Sequence, residues 1–143
     1  GGVIRGQTVA LLGLTFKPNT DDVRDSVAIL IADKLAQSGA SVVSYDPQGM
    51  DNARAILRDR IDYAADPLSA MSGARICVIA TDWEAFRGLA PADFERAGCK
   101  TLVDLRNLYD VGAFDGSPVR YHSVGRRNSV PAAARARVEA EWA

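Results

Sequence analysis

The sequence predicts a three-layer α/β/α domain whose mostly parallel sheet has about five or six strands. Three observations predict it. Short continuous apolar runs, "TVALLGL" at 8–14, "RICVIATD" at 75–82 and "TLVDLRN" at 101–107, have the composition of strands covered on both faces. Segments with helical apolar spacing alternate with these runs, the order that parallel strands joined by crossover helices require. The first run also ends in a glycine turn, the punctuation common between strand and helix in such sheets.

Each element follows from its own residues. Residues 15–25 are polar, contain Pro18 and form a loop longer than the usual strand-to-helix connection, and such loops are often functional. From Ser26 onward, Ala28, Ile31, Ala32 and Leu35 recur at helical offsets, giving one buried stripe; Ser26 is the expected N-cap and Gly39 the stop. "ASVVSYDP" (40–47) reads as a second strand ended by Asp-Pro, "DNARAILRD" (51–59) as a short helix and "IDYAAD" (61–66) as a weak edge strand. Asp66 and Pro67 open a helical turn through Met71, with proline in the first turn where its missing N–H costs nothing. Between the strands at 75–82 and 101–107, "DWEAFRGLAPADFERAG" supplies one or two short helices, and "VRYHSVGR" (119–126) a last strand. Residues 1–127 are thus expected to form the domain. Residues 128–143 are expected to be a helical or frayed tail with few core positions besides Val138 and Trp142.

Composition bounds the partners. The 143 residues are 48% apolar and carry 17 basic against 18 acidic side chains, a net charge of −1. That is the balance of an ordinary globular domain, with no basic footprint for nucleic acid. The most apolar stretch, "VAILIADKLA", is interrupted by Asp33 and Lys34 and is too short for a bilayer, so no membrane partner is expected. Cys77 and Cys99 lack metal or redox spacing, and no signal-like segment opens the chain, which fits a cytoplasmic protein with free thiols. The opening "GGVIRGQTVALLG" reads as part of something longer.

In a doubly wound sheet, ligands bind at the edge formed by the strands' C-terminal ends. The candidates there are the 15–25 loop, Asp46, Thr81–Trp83 and Asp104–Asn107. A Rossmann-like fold is expected without its dinucleotide fingerprint. Gly13 is followed by Phe16, Lys17 and Pro18, whose side chains and missing N–H oppose the approach of a pyrophosphate. Asp46 imitates the ribose-binding carboxylate but lies 33 residues after Gly13, beyond the roughly 20 of the fingerprint.

Lys17 and Arg24 flank Asp21 and Asp22. They form either a solvated loop with local Asp–Arg pairing, or a point charge and a planar fork offered to phosphates and hydroxyls. Arg106 either pairs with Asp104 or faces a ligand at the binding edge. His122 is the sole histidine, so no multi-histidine metal site exists. Cys77 reads as core, and Cys99 as a loop thiol with nothing beside it to form a thiolate. Asp82 and Glu84 read as a carboxylate pair or as a helix N-terminus. No complete catalytic set is present.

Five motifs occur in order: "GLTFKPNTDDVRDS" (13–26), "YDP" (45–47), "TDWEAF" (81–86), "DLRN" (104–107) and "SVGR" (123–126). In these, residues 5–127 or so resemble the C-terminal, UDP-binding domain of bacterial UDP-glucose 6-dehydrogenases, within the UDP-glucose/GDP-mannose dehydrogenase family. The resemblance implies a domain that closes over a UDP-sugar held with an N-terminal NAD-binding domain, and a central helical region that makes homodimers. The implied reaction oxidises C6 of UDP-glucose to a carboxylate with two NAD, through a cysteine that this stretch does not contain. It further implies that Phe16 and Lys17 contact UDP-glucose, that Arg106 binds the sugar nucleotide and that Arg24 reaches NAD. On this reading no residue of the chain is catalytic, NAD is held mainly elsewhere, and the chain alone is inactive. "FKPN" favours UDP-glucose over GDP-mannose, and "RDSVAIL" lacks the proline that many relatives place at the helix start. The rival expectations are a free-standing nucleotide-sugar-binding module, or the same domain of a GDP-mannose or UDP-N-acetylhexosamine dehydrogenase.

Overall fold

A computed structural model of the chain describes residues 4–130. The elements run β1 (Thr8–Leu12), α1 (Val27–Gln37), β2 (Ser41–Tyr45), α2 (Met50–Leu57), a 3₁₀ turn (Arg58–Arg60), β3 (Asp62–Tyr63), α3 (Pro67–Met71), β4 (Ile76–Ile79), α4 (Glu84–Arg87), α5 (Pro91–Ala97), β5 (Thr101–Asp104) and β6 (Arg120–Ser123). All six strands pair in parallel in the order β3-β2-β1-β4-β5-β6. The order reverses between β1 and β4, and their C-terminal ends flank the switch point where such sheets take ligands. The expected three-layer, Rossmann-like architecture is the one observed. The expected tail beyond Val130, with Val138 and Trp142, lies outside the described residues.

The apolar runs are continuous because each strand serves two cores. Side chains alternate across a strand: Val9 and Leu11 join Ala28, Ala32, Ala53 and Leu57 on the α1–α2 side. Ala10, Leu12, Cys77 and Ile79 join Met71, Phe86 and Phe94 on the other. The connection from β5 to β6 is built of turns and is anchored by Phe114, whose ring stacks on Tyr121 at 4.8 Å. Ser129 donates its backbone N–H to Tyr121 O at 3.0 Å, which lines the outer edge of β6.

Two local expectations hold, with hydrogen-bond partners that the sequence did not show. Ser26 is the N-cap of α1, as expected, although its side chain makes no cap bond: the hydroxyl donates to the Leu14 carbonyl at 2.8 Å. The buried end of β1 claims that donor, since a buried carbonyl without a partner is costly. Cys99 lies in the loop between α5 and β5, as expected, and is buried there. It is 3% exposed in the same core as Cys77 and donates to the Thr101 carbonyl. Its bond to the Cys77 thiol, together with burial, pushes the Cys77 pKa up.

Candidate functional site

The binding edge is organised by two buried carboxylates at strand ends. Asp46, directly after β2, is fully buried. Its Oδ2 accepts from Leu14 N (2.8 Å), Thr15 N (3.0 Å), Thr15 Oγ1 (3.0 Å) and Trp83 Nε1 (3.1 Å). Its Oδ1 accepts from Gln48 N (2.9 Å) and Gly49 N (2.8 Å). Such a donor set offsets the cost of burying the charge. Asp46 thus only imitates a ribose-binding carboxylate, as its spacing from Gly13 indicates: the oxygens point inward and already accept these donors. Gly49 is required here, since a Cβ would lie 2.4 Å from Thr15 Cγ2.

Asp104, the last residue of β5, plays the matching part on the other side of the switch point. It is fully buried and accepts from Arg106 N (3.0 Å), Leu108 N (2.7 Å) and Tyr121 Oη (2.7 Å). Arg126 in turn donates to Tyr121 Oη at 2.7 Å. Burial, helped by the bond to Asp104, pushes the Tyr121 phenol up to about 12. With Asp104 occupied by the backbone and by Tyr121, the first of the two alternatives for Arg106, a side-chain pair with Asp104, does not occur. The guanidinium donates instead to Asp82 Oδ1 at 3.1 Å and is 39% exposed. Asp82 and Glu84 separate likewise: Asp82 holds Arg106, and Glu84 sits in the first turn of α4, where a carboxylate favours the helix dipole.

The loop between β1 and α1 is closed by a bond from Phe16 N to Asp22 O at 2.9 Å and tied to α2 by Asn52 Nδ2, which donates to Asp21 O. Phe16 is 51% exposed, an unusual position for a phenyl ring, and Lys17 is exposed beside it. Arg24 forms a two-bond fork with Asp22, Nε to Oδ1 at 3.0 Å and Nη2 to Oδ2 at 2.9 Å. Those bonds hold the Asp22 carboxyl at about 2, well below its usual range. Phe16, Asp22, Arg24 and Asp25 share one shallow cavity of about 190 Å³, which Arg106 does not line.

Gly13 explains the absence of a phosphate cradle. Its φ is +101°, and a Cβ would lie 2.5 Å from Thr81 Oγ1 and 2.7 Å from Thr81 N. The residue is glycine so that β4 can pack against the turn. Thr81 Oγ1 donates to Thr15 O at 2.9 Å across that contact. Sequence reasoning placed Asp46, Thr81, Trp83 and Asp104 at this edge but missed that they are buried supports. The signal was their position next to runs with no exposed face.

A family model described as "UDP-glucose/GDP-mannose dehydrogenase family, UDP binding domain" matches residues 10–111. The chain belongs to this family. The matched stretch contains Phe16, Lys17, Arg24 and Arg106 and both buried carboxylates. A UDP-glucose 6-dehydrogenase of Rhizobium meliloti is 49% identical over 130 residues, covering 88% of this chain and 29% of that protein. The solved structure of a UDP-glucose dehydrogenase from Pyrobaculum islandicum superposes with a TM-score of 0.63 at 41% identity, over 70% of this chain and 22% of that one. An NDP-N-acetyl-D-galactosaminuronic acid dehydrogenase from Methanosarcina mazei shares the fold, with a TM-score of 0.71 at 22% identity over 87% of this chain and 26% of its own. The chain thus spans about 29% of the length of the Rhizobium relative. Among the described residues no helix of this UDP-binding domain is long and apolar enough to cross a membrane.

Proposed function

We propose that this chain is the UDP-glucose-binding C-terminal domain of a cytoplasmic, NAD-dependent UDP-glucose 6-dehydrogenase that works as a homodimer. The observation that carries the reading is the pairing of exposed cations with anchored loops at the strand-end edge of a UDP-binding domain. Lys17 has an exposed ammonium next to Phe16, and Arg106 is held by Asp82 with its guanidinium partly open. Cations positioned in advance suit a diphosphate and sugar hydroxyls, particularly once a second domain covers them and removes water.

In this reading Phe16 and Lys17 contact the UDP-sugar, and Arg106 binds the sugar nucleotide at a glucose hydroxyl. Arg24 stands 86% exposed on the outer side of the loop and extends toward NAD on the N-terminal domain. The turn at Gly13 offers no pyrophosphate cradle, so this chain's fit to NAD is that single arm. NAD, when bound, accepts the hydride; the chain's own residues bind and orient substrate and exclude water.

Calorimetric titration of the full-length enzyme with UDP-glucose, UDP-N-acetylglucosamine and GDP-mannose tests the assignment. UDP-glucose is expected to bind tightest, and the 143-residue chain alone is expected to make no NADH from it. Tighter binding of either rival sugar, or turnover by the isolated chain free of full-length enzyme, would overturn the reading.

A further inference from the structure

One buried cluster connects the two arms of the proposed site. Asp46 Oδ2 gathers Leu14 N, Thr15 N, Thr15 Oγ1 and Trp83 Nε1, so it fixes the two residues immediately before Phe16 and Lys17. Trp83 Nε1 also donates to Thr15 Oγ1 at 3.1 Å, and Thr81 Oγ1 donates to Thr15 O. Asp82, which holds Arg106, therefore has both chain neighbours tied to Thr15 or Asp46. Thr81 is fully buried and Trp83 is 6% exposed, so solvent cannot replace these bonds.

We propose that Asp46 is a positioning residue that sets the Phe16–Lys17 arm in register with the Arg106 turn; its effect on ligand binding rests on the function proposed above. It touches no ligand and acts through Thr15 and Trp83. The carboxylate is needed because both of its oxygens face only donors. An asparagine would turn an NH₂ group against backbone N–H groups whichever way its amide lies. The clamp thereby converts a long polar loop into a rigid support, as binding groups require.

The test uses Asp46→Asn and Trp83→Phe in the 143-residue chain, read by amide hydrogen exchange and by NMR titration with UDP. Trp83→Phe keeps most of the ring and deletes a single N–H, so it carries the test where Asp46→Asn does not fold. The expected result is at least about tenfold faster exchange at Leu14, Thr15 and Arg106 with Val78 and Leu102 unchanged, and UDP affinity lowered about tenfold, the effect of losing preorganisation. A uniform rise in exchange across the sheet, or loosened amides with undiminished UDP affinity, would overturn the proposal. If the wild-type chain binds no UDP, that result counts against the proposed function, and exchange at Leu14, Thr15 and Arg106 alone decides for or against the clamp.

Discussion

Asp82 and Arg106 face each other across the ends of β4 and β5, with the guanidinium donating to the carboxylate at 3.1 Å. Both side chains are about a third exposed, so the pair adds little to stability, at most about 1 kcal/mol. Its consequence is orientation: one edge of the Arg106 fork is fixed by Asp82, and among the described residues no second carboxylate pairs with it. Replacing Arg106 by alanine in the full-length enzyme is expected to raise the KM for UDP-glucose roughly 10- to 100-fold, the range of a lost charged hydrogen bond. Lys17→Ala should act in the same direction. Steady-state kinetics with each substrate varied checks both, since KM for NAD should hardly move.

Arg24→Ala should show the opposite split, a raised KM for NAD with UDP-glucose nearly unaffected. Arg24 is 86% exposed, so its removal should leave the melting temperature unchanged. Equal losses for both substrates would undo the assignment.

The Asp22–Arg24 fork also has a pH signature. The Asp22 carboxyl is lowered from 3.8 to about 2, chiefly by the Arg24 side-chain bond. A depressed carboxylate contributes above its unfolded pKa and loses that contribution as pH falls toward the folded value. The fork should therefore persist at pH 4 and open toward pH 2. The Arg24 Nε–H resonance, followed by NMR between those values, reports it.

Tyr121 is expected to resist alkaline ionisation. Burial raises its phenol to about 12, and the bond to Asp104 adds to the shift. Because the folded pKa exceeds the unfolded 10, the contribution is present below pH 10 and is lost as pH rises toward 12. Tyrosinate absorbance at 295 nm should show a late phase in the wild type that shrinks by one tyrosine in Tyr121→Phe, the buried Tyr109 phenol also being raised. That variant also leaves Asp104 short of a donor and should cost about 1–3 kcal/mol in denaturant unfolding.

Gly13→Ala tests the packing of the switch point. With φ at +101° and Thr81 Oγ1 2.5 Å from the new Cβ, β4 must move or the turn must reform. A loss of about 2–3 kcal/mol is expected from overpacking and backbone strain together. A melting temperature equal to wild type would show that the turn has room.

The strands, helices and their order were legible because burial on two faces leaves a plain trace: uninterrupted apolar runs at 8–14, 75–82 and 101–107, separated by helical spacing. Even the two-residue edge strand Asp62–Tyr63 and the proline-led turn at Pro67 could be read locally. The five motifs, in order, pointed to the family. What local sequence did not show was the destination of polar side chains. Asp46 stood only as a candidate at the binding edge, Arg106 was divided between Asp104 and a ligand, and nothing near Ser26 showed that its hydroxyl donates to Leu14.

Tertiary structure decided these because a hydrogen bond joins groups that sequence holds far apart. Asp46 meets Leu14, 32 positions away, and Trp83, 37 positions away. Asp104 meets Tyr121 across 17. The sequence by itself determined a parallel sheet with an edge rich in charge, since periodicity and apolar content are local properties. Only the folded sheet decided which of those charges turn inward to hold backbone N–H groups and which, like Lys17 and Arg106, stay at least partly exposed. That division follows from the cost of burying a charge, which is offset at Asp46 and Asp104 by donors that the sheet brings together.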